Sequence, residues 1–303
     1  RQVVEIARTC LTRLRVLVLD EPTSSLSHED RPRLFDLVRR MRSQGAAVLY
    51  TTHHLEEAQE LADRWTVLRD GTVVASGARE AIDIPAILAA MAGRPVQEAY
   101  PRIPHTVGEP MLDVSELAGP RLPVSASLCL HRGEVLGVFG LAGSGRTELL
   151  RALYGLEAVR TGNVRALAYT GYAPPWERIA QGVGMLSEDR KGEGVSLTES
   201  IEDNLTASRI PNTLGVLDLA ATRRAARRWM EALGVRCSGP EQAVGQLSGG
   251  NQQKVALARL LHQEAEVLLL DEPTRGVDAA SKSEIYRHIG ELAAAGKGVL
   301  LVS

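Results

Sequence analysis

Aromatic residues are scarce in this 303-residue chain: 2 Phe, 3 Trp and 6 Tyr make up 4% of it. Cysteine is scarcer still, and Cys10, Cys129 and Cys237 are odd in number and far apart. That spacing excludes a disulfide framework and a paired-cysteine metal site. It fits a reducing compartment in which the thiols pack as small hydrophobes. No stretch approaches the ~20 apolar residues of a membrane-spanning helix. A charge of one sign is missing too. The balance of 35 Lys+Arg against 37 Asp+Glu is −2, with no basic tract, so the footprint of a protein that grips nucleic-acid phosphates is absent. The remaining composition, 44% hydrophobic and 24% charged, is that of a globular protein.

What the chain does have is one passage written twice. RQVVEIAR…LVLDEPTSSLSHED around Asp20 returns as QQKVALAR…LLLDEPTRGVDAAS around Asp271, 251 positions on, and the two align without a gap from Arg1 to Thr52. Arg8 falls on Arg259, Asp20-Glu21-Pro22-Thr23 on Asp271-Glu272-Pro273-Thr274, Phe35 on Tyr286 and Gly45 on Gly296. A repeat of this length is a duplicated domain, not a solenoid unit of ~20–50 residues. The chain opens just after one motif of the first copy and stops just before the end of the second. It is therefore expected to be an internal piece of a longer protein.

Hydrophobic periodicity predicts a helix over 3–14, a buried strand over 16–19 and a helix over about 31–44 with Leu34, Leu37, Val38 and Met41 on one face and Gly45 as its stop. A strand follows over 47–51, then an acidic helix over 55–62 and a hairpin around Asp70-Gly71. Strand, helix and strand in alternation imply a parallel α/β sheet with functional groups at the carboxyl ends of its strands. Residues 93–111, with four prolines and two glycines, read as a linker. The second copy starts near Leu112, with a strand over 134–139, a glycine-rich loop and a helix over 147–154. Residues 196–246 read as a mostly helical insertion.

Gly140-Leu-Ala-Gly143-Ser144-Gly145-Arg146-Thr147 lies between an apolar strand and a helix start. In that context the glycines let successive N–H groups face one point, and the helix N-terminus adds partial positive charge: a phosphate-binding loop. Thr147 can offer a hydroxyl to Mg2+. Arg146 stands where Lys is usual, and its planar fork suits nucleotide binding better than the catalytic geometry of a compact ammonium. The strand 267–270 ends in Asp271-Glu272, as 16–19 ends in Asp20-Glu21. Asp at such a strand end suits the metal ion, and the following Glu can polarise an attacking water. A bare strand end is the alternative reading of one such pair; two copies, each followed by Pro-Thr, argue against it. Leu247-Ser248-Gly249-Gly250-Asn251-Gln252-Gln253-Lys254 opens a helix, with Ser248 as N-cap and a Ser-Gly-Gly start that is also an anion site. His53, 33 positions after Asp20 at a strand end, is either a structural residue or a phosphate sensor.

These strings resemble those of ABC-type ATPases, whose signature is LSGGQ. The second phosphate loop with Arg, LSGGNQQK, DEPTRGVD and Ser187-Glu188-Asp189-Arg190-Lys191-Gly192-Glu193-Gly194 resemble in particular the double-domain ATPases of bacterial importers of ribose, galactose and xylose type. The resemblance covers essentially the whole chain. It implies a P-loop NTPase fold of the ABC nucleotide-binding type: a parallel-sheet core with antiparallel β and helical subdomains, in tandem copies both truncated, 1–92 and 112–303. It further implies ATP and Mg2+. In the family's pattern Asp20, Thr147 and Asp271 serve the metal, Glu21, Glu272 and His53 the chemistry, and Gly140, Gly143, Ser144, Gly145, Arg146, Thr147, Glu188, Ser248, Gly249 and Gly250 the nucleotide. Each signature closes on ATP held by the other domain, so Ser248-Gly249-Gly250 would face the site of Asp20, Glu21 and His53. The implied setting is the cytoplasmic face of a membrane. The implied partners are permease subunits, a sugar-binding protein acting indirectly, and a second copy of the ATPase chain; nucleic acid is not among them. Two departures stand out: residues 111–135 hold no aromatic to stack on adenine, and Ser27 stands where Asp278 stands in the second copy. Nucleoside importers with the same fused layout are an alternative. Soluble twin-ABC proteins are another, but they would be expected to have a long charged linker or a basic patch.

Overall fold

The computed structural model describes residues 14–23, 26, 30–52, 54–69, 71–93, 103–141, 143–277 and 279–303. They fall into two compact units, the first within Arg1–Ala99 and the second within Tyr100–Val277 and Ser281–Ser303. Residues 3–13 of the expected first helix, Asp70 of the hairpin turn, and residues 94–102 of the expected linker lie outside the described residues.

In the first unit β1 (Val16–Asp20) crosses through α1 (Arg31–Ser43) to β2 (Ala47–Thr51), which pairs parallel with β1. Leu34, Phe35, Val38 and Met41 form one face of α1 and pack on Leu17 and Leu19. Gly45, at φ 88°, takes the left-handed conformation that stops a helix cheaply only in glycine. Then come α2 (Leu55–Leu61), the antiparallel pair β3 (Arg64–Arg69) and β4 (Thr72–Ala78), and α3 (Ile84–Ala92).

The second unit has two sheets. β5 (Pro110–Ala118), β6 (Ala126–His131), β8 (Thr161–Ala166) and β9 (Tyr169–Thr170) form an antiparallel sheet in the order β6-β5-β8-β9. β7 (Val135–Val138), β10 (Val183–Leu186), β13 (Val267–Asp271) and β14 (Gly298–Val302) form a parallel sheet ordered β10-β13-β14-β7. Its helices are α4 (Arg146–Tyr154), α5 (Pro175–Ala180), α6 (Ile201–Thr206), α7 (Leu219–Ala232), α8 (Gly249–His262) and α9 (Ala279–Ala294). Successive β13 side chains alternate between two cores. Leu268 and Leu270 join the helical side, and Val267 and Leu269 face the layer made by the antiparallel sheet and α4. A strand buried on both faces reads as an unbroken apolar run, as 267–270 does.

The duplication is visible in the hydrogen-bond ladder. Val16 pairs with Ala47 and Asp20 with Thr51; 251 positions on, Val267 pairs with Gly298 and Asp271 with Val302. The copies differ in cover. Val267, Leu269 and Leu300 are fully buried, whereas Val16, Val18 and Leu49 at the same repeat positions are about 60% exposed. The layer that residues 111–185 lay over the second sheet has no counterpart among the described residues of the first unit.

The insertion departs from expectation. Between α6 and α7 the chain forms the hairpin β11 (Asn212–Thr213) and β12 (Val216–Leu217). Leu214 and Gly215, both at positive φ (52° and 82°), make its two-residue turn, the geometry that matches strand twist. Pro211 and Gly215 are residues that work locally against a continuous helix here.

Because cover differs at matching positions, one substitution should have two costs. Val267→Ala is expected to lower unfolding stability by about 2 kcal/mol, and Val16→Ala to stay within about 0.5 kcal/mol of the parent chain. Urea unfolding of the chain checks both.

Candidate functional site

Four strands of the parallel sheet run the same way, so their carboxyl ends share one edge. β7 delivers the glycine loop to it, β13 delivers Asp271-Glu272, β10 delivers Ser187-Glu188, and β14 ends beside β13.

Gly143 and Gly145, at φ 80° and 93°, need their left-handed conformations for the chain to curl into α4. A Cβ on Gly140 would lie 2.6 Å from Ser144 Oγ. α4 begins at Arg146, one residue earlier than expected, capped by Gly145. Phe139 and Leu141, beside the loop, are largely exposed; neither had been singled out from the sequence. Ala142 lies outside the described residues.

Asp271 is fully buried, and neither carboxylate oxygen has a hydrogen-bond partner. Burial pushes its pKa up; the nearby Thr147 hydroxyl opposes this, and the neighbouring Glu272 charge adds to it. Three other acids gathered here have an arginine. Glu272 lies 3.8 Å from Arg146, Glu188 is paired with Arg275, and Glu193 is paired with Arg151 at 2.8 Å. Arg275 and Arg151 were not read from the sequence as site residues. A buried carboxylate without a partner, next to the Thr147 hydroxyl and Glu188 (Thr147 Oγ1 donates to Glu188 Oε2 at 3.5 Å), is the oxygen donor set that a hard divalent cation takes. These residues fit Mg2+. Arg146 also donates to the Ser303 carbonyl.

Glu272 follows Asp271 at φ 43°, and Glu21 follows Asp20 at φ 42°. A left-handed glutamate costs on the order of 1–2 kcal/mol. Each is held by its N–H, donated to the neighbouring strand: Glu272 to the Val302 carbonyl at 3.0 Å, Glu21 to the Thr51 carbonyl at 3.1 Å.

Ser248 precedes α8 as expected, but its hydroxyl makes no cap bond; it accepts from Asn251 Nδ2 at 2.9 Å. Arg190 donates to the Gly249 carbonyl at 3.2 Å, and a Cβ on Gly249 would press on that guanidinium and on the Gly276 carbonyl. Among the described residues no hydrogen bond or ion pair joins Ser248, Gly249 or Gly250 to the glycine loop. In the first unit Asp20 accepts from Thr51 Oγ1 at 2.5 Å. His53 lies outside the described residues. Its neighbours are tied by Glu57, a buried carboxylate on α2 that accepts from Tyr50 Oη at 2.9 Å and Thr52 Oγ1 at 2.8 Å. Burial and that bond push the Tyr50 pKa up. Ser27 and Asp278 are likewise outside the described residues.

Residues 124–275 match the family model of the ABC transporters, half of the chain. The chain belongs to the ABC transporter family. It is 44% identical, over its whole length, to a ribose import ATP-binding protein of Burkholderia ambifaria. It is 42% identical to one of Rubrobacter xylanophilus, and 39% to an arabinose import ATP-binding protein of Azospirillum brasilense. It spans about 60% of the length of these relatives. Among solved structures it resembles a nucleotide-free ATP-binding cassette from an ABC transporter (TM-score 0.55, 20% identity, 64% of this chain and 81% of that one). It also resembles a dimeric cassette bound to ADP and Pi (TM-score 0.56, 20% identity, 64% and 88%). Those likenesses agree with the two-sheet ABC fold read from the sequence. Among the described residues no helix is long and apolar enough to cross a membrane.

Asp271 without a partner should destabilise the metal-free chain. Asp271→Asn is expected to raise its stability by about 1–3 kcal/mol and to remove any thermal stabilisation by Mg2+ with nucleotide. Melting curves with and without Mg2+ and ADP measure both.

Proposed function

We propose that the chain is part of an ATPase that energises import of a monosaccharide through a membrane permease. Its tandem nucleotide-binding domains would be residues 1–92 and 112–303, joined by the linker 93–111. The observation that carries this is the shared edge of the second unit: a phosphate loop, a buried carboxylate lacking a partner, and a glutamate on the next residue. Support for the sugar comes from the ribose and arabinose import relatives, which also favour it over a nucleoside.

In this reading the N–H groups of Gly140–Thr147 and the start of α4 hold the nucleotide phosphates. Thr147, Asp271 and Glu188 would hold Mg2+ in the second domain, and Asp20 contributes in the first. The bound ion neutralises charge on the phosphate oxygens. Glu21 accepts a proton from the attacking water, His53 senses the terminal phosphate, and Ser248-Gly249-Gly250 contribute hydroxyl and backbone donors to a phosphate. Binding draws domains together and hydrolysis releases them, and the stretch Glu188–Gly194 passes the movement to the permease at the cytoplasmic face of the membrane. A binding protein delivers the sugar from the other side, and a second copy of the ATPase chain can complete the motor.

The second site is proposed to bind ATP and hydrolyse it slowly, because the Arg146 guanidinium lies against Glu272 and holds the base that would polarise water. In the full-length protein Glu21→Gln should cut turnover about 100-fold or more, the usual range of a general base, with ATP binding kept. With the first site so disabled, Arg146→Lys should raise the residual rate. Steady-state ATPase assays with nucleotide-binding controls read both; near-normal turnover in Glu21→Gln would remove Glu21 from the chemistry.

A further inference from the structure

The two copies share a backbone register but differ in one side chain that faces the strand-end aspartate. In the first unit Asp20 pairs with Thr51 across parallel strands; in the second Asp271 pairs with Val302. The Thr51 hydroxyl donates to Asp20 Oδ1 at 2.5 Å and accepts from the Glu21 N–H at 3.2 Å. Its lone-pair side is thus occupied by a backbone donor, which turns the proton towards the carboxylate. A donor at this distance to an ionised acceptor is a charge-assisted bond. One hydroxyl therefore touches both the aspartate and the residue after it. At the matching place in the second unit Val302 offers only its carbonyl to the Glu272 N–H, and Asp271 has no hydrogen bond on either oxygen.

We infer that Thr51 is a positioning residue for the first site: its hydroxyl fixes the orientation of the Asp20 carboxylate toward the metal ion, a support that Val302 denies to Asp271. The inference rests on the nucleotide reading above. It adds a difference between the two sites that is separate from Arg146, and it lies in an outer partner of a metal ligand, a kind of residue whose loss commonly costs about 10–100-fold in metal affinity. Valine and threonine have the same shape, so the exchange isolates the hydroxyl.

The test uses the full-length protein with Mn2+ as probe and a non-hydrolysable ATP analogue, read by electron paramagnetic resonance. Thr51→Val should weaken nucleotide-dependent Mn2+ binding at one site about tenfold or more, and Thr51→Ser should restore it. Thermal unfolding of the metal-free variants checks that neither has lost its fold. The reciprocal Val302→Thr, made in the present chain, should be neutral or stabilising without any ligand, because the new buried hydroxyl meets Asp271. A loss of stability there means that the hydroxyl finds no partner and overturns the geometry. Equal Mn2+ binding in Thr51→Val and the unmodified protein, or Thr51→Ser behaving like Thr51→Val, removes Thr51 from this role while leaving the nucleotide reading intact. No nucleotide-dependent Mn2+ binding in the unmodified protein removes both.

Discussion

The hydrogen bond from the Glu272 N–H to the Val302 carbonyl fixes the working end of the second unit. It continues the parallel ladder one residue beyond β13 and holds glutamate in a conformation that its side chain disfavours. The register behind it is set by burial. Val267 to Leu270 are fully buried on both faces, and a slip of one residue would exchange those faces and turn Asp271 away from its present position. The apolar run thus sets where the carboxylate lies, and the ladder sets where the next one points. That the first unit repeats the same bond and nearly the same φ at Glu21 shows that the frame follows from strand pairing, since it persists there without comparable cover on Val16, Val18 and Leu49.

On that common frame the side chains have diverged in two ways. One exchange is compensated. Thr274 has a hydroxyl partner in Tyr286 of α9, at 3.2 Å. The first copy has Phe35 at the helix position, and the buried Thr23 is served by Tyr50 of β2, where the second copy has Leu301. A buried hydroxyl requires a partner, and the tyrosine has moved from helix to strand to keep one. The exchange of Thr51 for Val302 has no such counterpart on the strand: Val302 offers Asp271 no hydroxyl, and the hydroxyl beside that aspartate is Thr147 of α4. Compensated exchanges preserve packing, whereas an uncompensated one at a strand end changes what the site can hold.

Much of this was legible in the sequence because the signals were local. Apolar runs gave β1, β2 and β13 to within a residue, and the glycine spacing gave the loop before α4. The repeat gave the equivalence of Glu21 and Glu272. The hairpin inside 196–246 was missed because a leucine carries half of its left-handed turn, a position that composition assigns to glycine or asparagine. Arg275, Arg151 and Thr51 were missed for another reason. Each acts on a residue distant in sequence (Glu188, Glu193 and Asp20), and only the fold shows which charges end up adjacent. The hydroxyl of Ser248 was legible as an N-cap position but not as one whose oxygen is committed to Asn251.

The arginine in the phosphate loop follows from the same charge balance. The edge of the second sheet gathers Asp271, Glu272 and Glu188, and after burial the Glu272 charge helps to push the Asp271 pKa up. Arg275 answers Glu188, and Arg146 answers Glu272. A lysine ammonium would concentrate its charge at a point suited to phosphate oxygens; here the Arg146 guanidinium has one nitrogen, Nη1, near both Glu272 and the Ser303 carbonyl. This arrangement stabilises the edge without a ligand and makes the glutamate less available to a water molecule. Asp271 has no ion pair and no hydrogen bond of normal geometry, only the Thr147 hydroxyl and the Arg146 charge nearby, so much of the free energy that the edge can gain on taking up a divalent ion is concentrated at that carboxylate. On the function proposed above, a site built this way is better suited to holding a metal–nucleotide pair than to turning it over.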